Sequence, residues 1–222
     1  PEPRFFDKAG KLLPADATVE KIAESVYEIR LQPGIRYQPH PAFAVDANGA
    51  PRYADLDREK LKGIERIADF EHTGSRELRA DDYIYEIKRL AHPRLHSPIF
   101  GMMAEHIVGL GELGKALQQA AKGMGRDEWL DLDKYPLSGV EKVDDLTYRV
   151  RLKGKYPQFL YWLAMPFFAP VPREVDRFYN QPGMAEKNLT LDWYPVGSGP
   201  YMLVENNPNS RMVLARNPNF RG

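Results

Sequence analysis

Cysteine is absent from this 222-residue chain. Disulfides, thiolate zinc sites and cysteine nucleophiles are excluded together. Compartment is not, because exported bacterial proteins can also lack cysteine. A surplus of either charge is missing too: Lys plus Arg number 31 and Asp plus Glu 31, for a formal charge of zero. Binding to nucleic acid or anionic lipid draws on a basic surplus, so no nucleic-acid partner is expected. No run approaches the roughly 18 apolar residues of a membrane-spanning helix. The longest, from Phe159 to Ala169, is broken by Pro166. Internal repeats and low-complexity tracts are lacking as well. The chain opens on Pro1, with neither an initiator Met nor a signal-like segment, and this end reads as cut.

What is present is globular in character: 43% hydrophobic, 11% aromatic and 28% charged residues. Proline, at 19 residues, stands well above its usual share of about 5%, which predicts many loops and excludes a helical bundle. Phe5 to Lys11 reads as a strand end entering a turn at Gly10. Val26 to Leu31 alternates and reads as a half-buried strand stopped by Pro33-Gly34. Tyr37 to Arg76 is a long irregular stretch with one expected helix, in which Leu61, Ile64, Ile67 and Ala68 share a side. Ala80, Tyr83, Ile84, Ile87, Leu90 and Ala91 recur at three and four, with Asp81 and Asp82 in the first turn, Lys88 and Arg89 in the last, and Pro93 beyond. Met103 to about Lys122 predicts a second helical stretch, broken at its glycines. Leu146 to Leu152 is the clearest strand, with Leu146, Tyr148, Val150 and Leu152 facing in. Val171 to Tyr179 predicts a short helix opened by Pro172. Tyr201–Val204 and Arg211–Ala215 predict a hairpin across Asn206–Ser210. The mixture indicates an α/β or α+β architecture.

Residues with chemistry to offer do not assemble into an active site. His92 and His96 have the spacing of two ligands on one helix face, but Pro93 lies between them. His106 and Glu105 are sequence neighbours and face different ways on a helix. Asp81-Asp82 read as helix-start residues and Asp144-Asp145 as a turn, whereas acid–base catalysis needs carboxylates across a cleft. Asp46-Ala-Asn-Gly49 is half a calcium loop without the remaining ligands, and is expected to be a turn. Gly197-Ser-Gly199 lacks the lysine of a phosphate loop and runs into Pro200. The aromatic cluster Phe159, Tyr161, Trp162, Phe167 and Phe168 could stack bases or sugars, but reads better as a core-facing helix. No catalytic residue, metal site or cofactor is expected.

Six segments in order resemble the family 5 extracellular solute-binding proteins, the periplasmic oligopeptide- and dipeptide-binding components of ABC importers. Val26-Tyr-Glu-Ile-Arg-Leu-Gln-Pro-Gly-Ile-Arg-Tyr37 is similar to the family's early strand. Arg79-Ala-Asp-Asp-Tyr-Ile-Tyr-Glu-Ile-Lys-Arg-Leu-Ala-His-Pro93 resembles its Thr-Ala-x-Asp-Val helix, with Arg79 in place of the capping Thr and Glu86 where Ser or Thr is common. Ser97-Pro98 followed by His106-Ile-Val-Gly-Leu110, then Val140 to Val150, then Ala169-Pro-Val-Pro-Arg173 resemble later stretches. Val196-Gly-Ser-Gly-Pro-Tyr201 through Arg216-Asn-Pro-Asn-Phe220 is the most specific match.

The resemblance implies a periplasmic binding protein-like α/β fold (type II, with an extra domain), a mixed sheet with flanking helices, present here incompletely. Family members are roughly twice this length and close two lobes over the ligand. The expectation is therefore an excised piece: residues 1–143 as the small extra domain, with an insertion at about 38–76, and 144–222 as part of lobe one. The implied function is non-catalytic capture of a short peptide in the periplasm, between this part and a second lobe not included here, and delivery to ABC permease subunits in the membrane. A nickel complex, haem or an oligosaccharide are alternative solutes. Ile99, Phe100 and Met103 are the candidate ligand-lining residues, with core packing their competing role. The turn at Gly197, Gly199 and Pro200 is expected to be structural. A hydrolase finds no constellation to support it, and a stand-alone interaction module leaves the six ordered motifs unexplained.

Overall fold

Alternating apolar residues give Thr147–Lys153 a face to bury, and the structure places it inside a five-stranded sheet with a strand on either side. The computed structural model describes residues 2–125 and 127–222, which form two compact units. The first comprises residues 1–32, 79–124 and 130–170; the second comprises 33–78, 125–129 and 171–222. The expected boundary between 143 and 144 falls inside a β-hairpin of the first unit. Long-range pairing holds that hairpin against the chain's first 32 residues, so the units interleave in sequence.

In the first unit, β1 (Arg4–Phe6), β2 (Leu12–Leu13), β3 (Glu24–Arg30), β4 (Val140–Asp144) and β5 (Thr147–Lys153) form one sheet in the order β2-β1-β3-β5-β4. Every pairing in it is antiparallel. The β3–β5 register sets Tyr27 opposite Val150 and Ile29 opposite Tyr148. Tyr27, Tyr148, Val150 and Leu152 are each at most 1% exposed, so the alternation read from the sequence selects the buried face. On the other face Arg149 Nε meets Glu28 at 2.9 Å directly across the strands. Arg149 holds the Glu28 carboxyl below the usual carboxylate range, with Arg30 adding to the effect.

Helix α1 (Ala80–Arg89) packs on β4 and β5, and the Tyr83 and Tyr148 rings stack 5.4 Å apart. Arg79 precedes it without an acceptor oxygen. Asp82 accepts the Arg79 backbone N–H at 3.0 Å instead, and Ala80 N donates to the Asp145 carbonyl at 2.8 Å. Two of the helix-start donors are thereby satisfied. The buried face is wider than the periodicity implied, taking in Tyr85, Glu86 and Lys88. Glu86 is matched by Arg89 at 2.8 Å, and Lys88 donates to the Leu132 carbonyl at 3.3 Å. The expected second helical stretch divides into α2 (Phe100–His106) and α3 (Leu110–Ala121). Gly109 marks the break with a left-handed φ of 79°. The short α4 (Phe159–Leu163) buries Phe159 but leaves Tyr161 78% exposed. The aromatic cluster therefore only partly faces the core.

The second unit holds α5 (Arg173–Tyr179) and a hairpin of β6 (Tyr201–Asn207) and β7 (Arg211–Arg216). The helix expected around Leu61–Ala68 does not form. Gly63 takes a φ of 82°, and only a short 3-10 turn, Ile67–Asp69, follows. The Asp69 carboxylate takes the Glu65 and Arg66 backbone N–H groups at 2.9 and 2.8 Å, a local bond that competes with helix propagation.

Candidate functional site

In the first unit, Ile99 precedes α2 and is 5% exposed, while Met103 is wholly enclosed. Phe100 lies against α3: a Cβ added to Gly114 would come within 2.4 Å of the Phe100 ring. That close approach is what the glycine permits, and it fixes the α2–α3 contact. Of the three candidate residues, Phe100 alone keeps appreciable accessible surface.

The remaining chemical residues of this unit serve local structure. His92 Nδ1 accepts from Arg94 N at 3.1 Å, and His96 sits at a positive φ of 49°, so the two do not share a helix face. The His106 ring stacks on Tyr156 at 3.7 Å. Asp144 accepts from Leu146 N at 2.8 Å as a turn residue, and Lys142 ties Asp81 (2.6 Å) to Asp145 (2.7 Å). No three His, Asp or Glu side chains among the described residues are placed to hold a metal.

In the second unit the Val196–Tyr201 turn is clasped from two directions. Gln38 N donates to the Gly197 carbonyl at 2.9 Å, and Gly197 N donates back to Gln38 Oε1 at 3.1 Å. Asn217 N donates to the Pro200 carbonyl and Asn217 Nδ2 to the Gly199 carbonyl, both at 2.8 Å. Asn219 Nδ2 reaches the Tyr37 carbonyl at 2.8 Å. The segment Arg216–Phe220 thus locks the segment Val196–Tyr201, and Asn217 is 1% exposed while doing so. Asp46 forms the expected turn, accepting from Asn48 N (2.8 Å) and Ala50 N (3.0 Å).

Beneath that clasp lies an aromatic core with two polar insertions. His40 Nδ1 accepts from Ala42 N at 3.1 Å, so Nε2 carries the proton and donates to the Tyr179 hydroxyl at 2.9 Å. Tyr179 donates in turn to the Tyr194 carbonyl at 2.7 Å. Burial pushes the His40 imidazole down to about 3, which keeps this relay neutral. Arg76 pairs bidentately with Glu174, its guanidinium lying 5.5 Å from the Tyr37 ring centre and 5.6 Å from that of Phe43. Gly74 pairs with His40 at an antiparallel bridge, where a Cβ would meet the Phe43 carbonyl oxygen at 2.1 Å. Sequence reading missed His40 and Arg76 as organising residues. Their partners lie 139 and 98 positions away, and no local pattern announces them.

Among the cavities that open in this unit are two of several hundred Å³. One, about 530 Å³, is walled by the 51–56 and 69–71 segments, with Tyr53 and Phe70 edge to face at 5.1 Å. The other, about 380 Å³, lies between Glu65-Arg66, Lys187-Asn188, Trp193-Tyr194 and the turn end of the β6–β7 hairpin.

An antiparallel sheet with flanking helices and a hairpin locked by the Asn217 clasp make up a mixed α/β fold. Residues 72–222 match the family model for bacterial extracellular solute-binding proteins, family 5 Middle. The chain belongs to this family. It is 30% identical over 68% of its length to the dipeptide-binding protein of Escherichia coli, covering 24% of that protein. It is 27% identical over 72% of its length to heme-binding protein A of Haemophilus influenzae, covering 25% of it. Among solved structures, 98% of the chain superposes on Listeria monocytogenes OppA bound to peptide, with a TM-score of 0.50, 15% identity and 32% of that chain covered. Haemophilus influenzae OppA in complex with RPPGFSPFR gives a TM-score of 0.50, 17% identity and coverage of 99% of this chain and 33% of that one. The chain spans about a quarter of the length of these curated relatives and a third of these solved ones, where roughly half was expected.

Proposed function

We propose that this chain is part of the solute-capturing component of an ABC importer, that the solute is a short peptide taken up in the periplasm, and that capture involves no catalysis. The observation that carries the reading is membership of the solute-binding family over residues 72–222, with the E. coli dipeptide-binding protein among the relatives. The ligand would be enclosed with a second lobe, and ABC permease subunits would receive it. On this reading the chain carries the small extra domain and part of lobe one. Phe100 is the favoured ligand-facing residue of the three candidates, because a capture site needs a side chain the ligand can reach.

Heme-binding protein A is matched over a similar share of the chain, which favours haem as the second reading. Native mass spectrometry of the full-length protein, purified without denaturation, separates the two. A co-purifying population of short peptides is expected. A haem adduct would keep the importer class and overturn the peptide. Turnover of peptide rather than stoichiometric binding would overturn the non-catalytic reading.

A further inference from the structure

The β6–β7 hairpin leaves an apolar face open. Its register sets Leu203 opposite Leu214 and Tyr201 opposite Arg216. Strand residues two apart share a face, so Tyr201, Leu203, Met212 and Leu214 lie together on one side. Tyr201 is 64% exposed, and Met212 and Leu214 are each 62% exposed. Among the described large apolar residues only Tyr161 is more exposed, so this exposure is concentrated on one face rather than scattered. On the opposite face Met202, Val213 and Ala215 are half-buried.

The sequence of the hairpin suits burial on both sides. Met202-Leu-Val204 and Met212-Val-Leu-Ala215 are unbroken apolar runs, whereas a strand with one wet face alternates. Strand β4 gives the contrast: Val140-Glu-Lys-Val-Asp144 lies at a sheet edge, charged and largely exposed. No third strand pairs with β6 or β7 among the described residues, and a hairpin alone is marginal in water. A contiguous apolar face of this kind marks a surface that meets another one.

A solute is poorly served there. Neither of the cavities of several hundred Å³ has Tyr201, Met212 or Leu214 in its wall, and small molecules bind in concave sites. A second copy is opposed by charge, because antiparallel pairing of β7 on β7 in full overlap sets Arg211 against Arg216 at both ends. The protein's own further chain remains. The family match runs through residue 222, shortly after β7 ends at Arg216. This chain covers only 24% of the dipeptide-binding relative and 25% of heme-binding protein A. We propose that in the full-length protein the segment following Gly222 packs apolar side chains over Tyr201, Met212 and Leu214. The inference goes beyond the capture reading and does not depend on the solute.

The test is hydrogen peroxide oxidation of the full-length protein, native and in concentrated urea, with sulfoxide formation at each methionine followed by peptide-mapping mass spectrometry. Thioether oxidation follows exposure, so Met212 should react about tenfold or more slowly in the native protein than in urea. Met103 and Met184, enclosed within these 222 residues, set the scale of full protection. Equal rates for Met212 in the two conditions would overturn the proposal. So would protection lost on about hundredfold dilution, which assigns the face to a second copy. A benzoylphenylalanine photo-crosslinker in place of Leu214 identifies the occupant. An adduct within one chain to a peptide beyond Gly222 is expected; an adduct to residues 1–222, to another copy or to a bound solute would overturn the proposal. Leu214→Asp should lower the melting temperature of the full-length protein by about 5 °C or more, and an unchanged melt would count against a covered face. If variants at Leu214 fail to fold, oxidation of the unaltered protein still decides.

Discussion

The two compact units reach order by different means. The first is built on backbone pairing: five strands in register, with aliphatic and tyrosine side chains beneath them. The second has one hairpin as its regular sheet and is held by side chains reaching backbone groups and aromatic rings packing on one another. Tyr37, Phe43, Phe70, Phe178 and Tyr179 fill its interior, and Gln38, Asn217 and Asn219 tie its loops. A sheet distributes stability over many equivalent bonds, whereas a clasp concentrates it in a few. Truncations should therefore hurt the first unit in proportion to buried volume, and the second in proportion to the polar bonds removed.

The largest expected effect lies in the first unit. Phe159 is wholly buried, its ring 5.5 Å from Tyr27 and 6.0 Å from Phe168. Phe159→Ala should cost about 3–5 kcal/mol, the range for emptying a buried aromatic site. Urea unfolding of the variant should show the midpoint fall with little change in slope. A loss below about 1 kcal/mol would mean the sheet's underside repacks freely, and the contrast between the units would fail there.

In the second unit the largest effect should come from pH. Free histidine titrates near 6.5 and His40 in the fold near 3, so between those values the unfolded chain binds the extra proton. Stability is then fully present above pH 6.5 and falls as the pH drops toward 3, by up to about 1.4 kcal/mol per unit. Denaturant midpoints measured from pH 7 to pH 4 should show this slope, and His40→Phe should flatten it. A variant retaining the full slope would place the proton uptake elsewhere.

Third in size is the clasp. Asn217→Ala removes the bond to the Gly199 carbonyl and the acceptor for Asn219 N. The expected cost is about 1–3 kcal/mol, because buried backbone groups lose their partners. Asn217→Asp keeps the acceptor but sets a buried carboxylate oxygen against the Gly199 carbonyl, and should cost at least as much. A loss for Asn217→Ala below about 0.5 kcal/mol in thermal melts would show that the clasp contributes little.

These three sites also show what was readable in the chain. Strand β5, helix α1 and the β6–β7 hairpin announced themselves, because their periods of two and 3.6 are local properties. The pairing of β3 with β5 did not. Glu24 and Lys153 are far apart in sequence, and a register over such a distance depends on packing that no window contains. The false helix around Leu61–Ala68 failed for a local reason that spacing alone conceals, the left-handed Gly63 followed by the Asp69 turn. The turn at Gly197, Gly199 and Pro200 reads from the sequence as structural, while Arg216-Asn-Pro-Asn-Phe220 stands out only as a family-like stretch. The partner that completes the clasp, Gln38, lies 159 positions from Gly197.

The smallest effect gives the finest comparison, because an arginine–glutamate pair from each unit can be matched for accessibility. Arg149 and Glu28 face each other across strands, with side chains 31% and 26% exposed, and the bond adds to a register already fixed by the backbone. Arg76 and Glu174, at 21% and 36%, join residues that no strand pairing connects. The guanidinium of Arg76 also lies over two aromatic rings and donates to the Glu77 carbonyl at 2.9 Å. Lysine keeps the charge but loses the fork and the flat stacking surface. Arg149→Lys should therefore stay within about 0.5 kcal/mol, the usual scale of a partly exposed pair, while Arg76→Lys should cost about 1 kcal/mol or more. Raising salt should shrink the first difference more than the second, since stacking is screened less than an exposed ion pair. Equal costs for the two substitutions would mean that the second unit does not depend on its side-chain bonds more than the first.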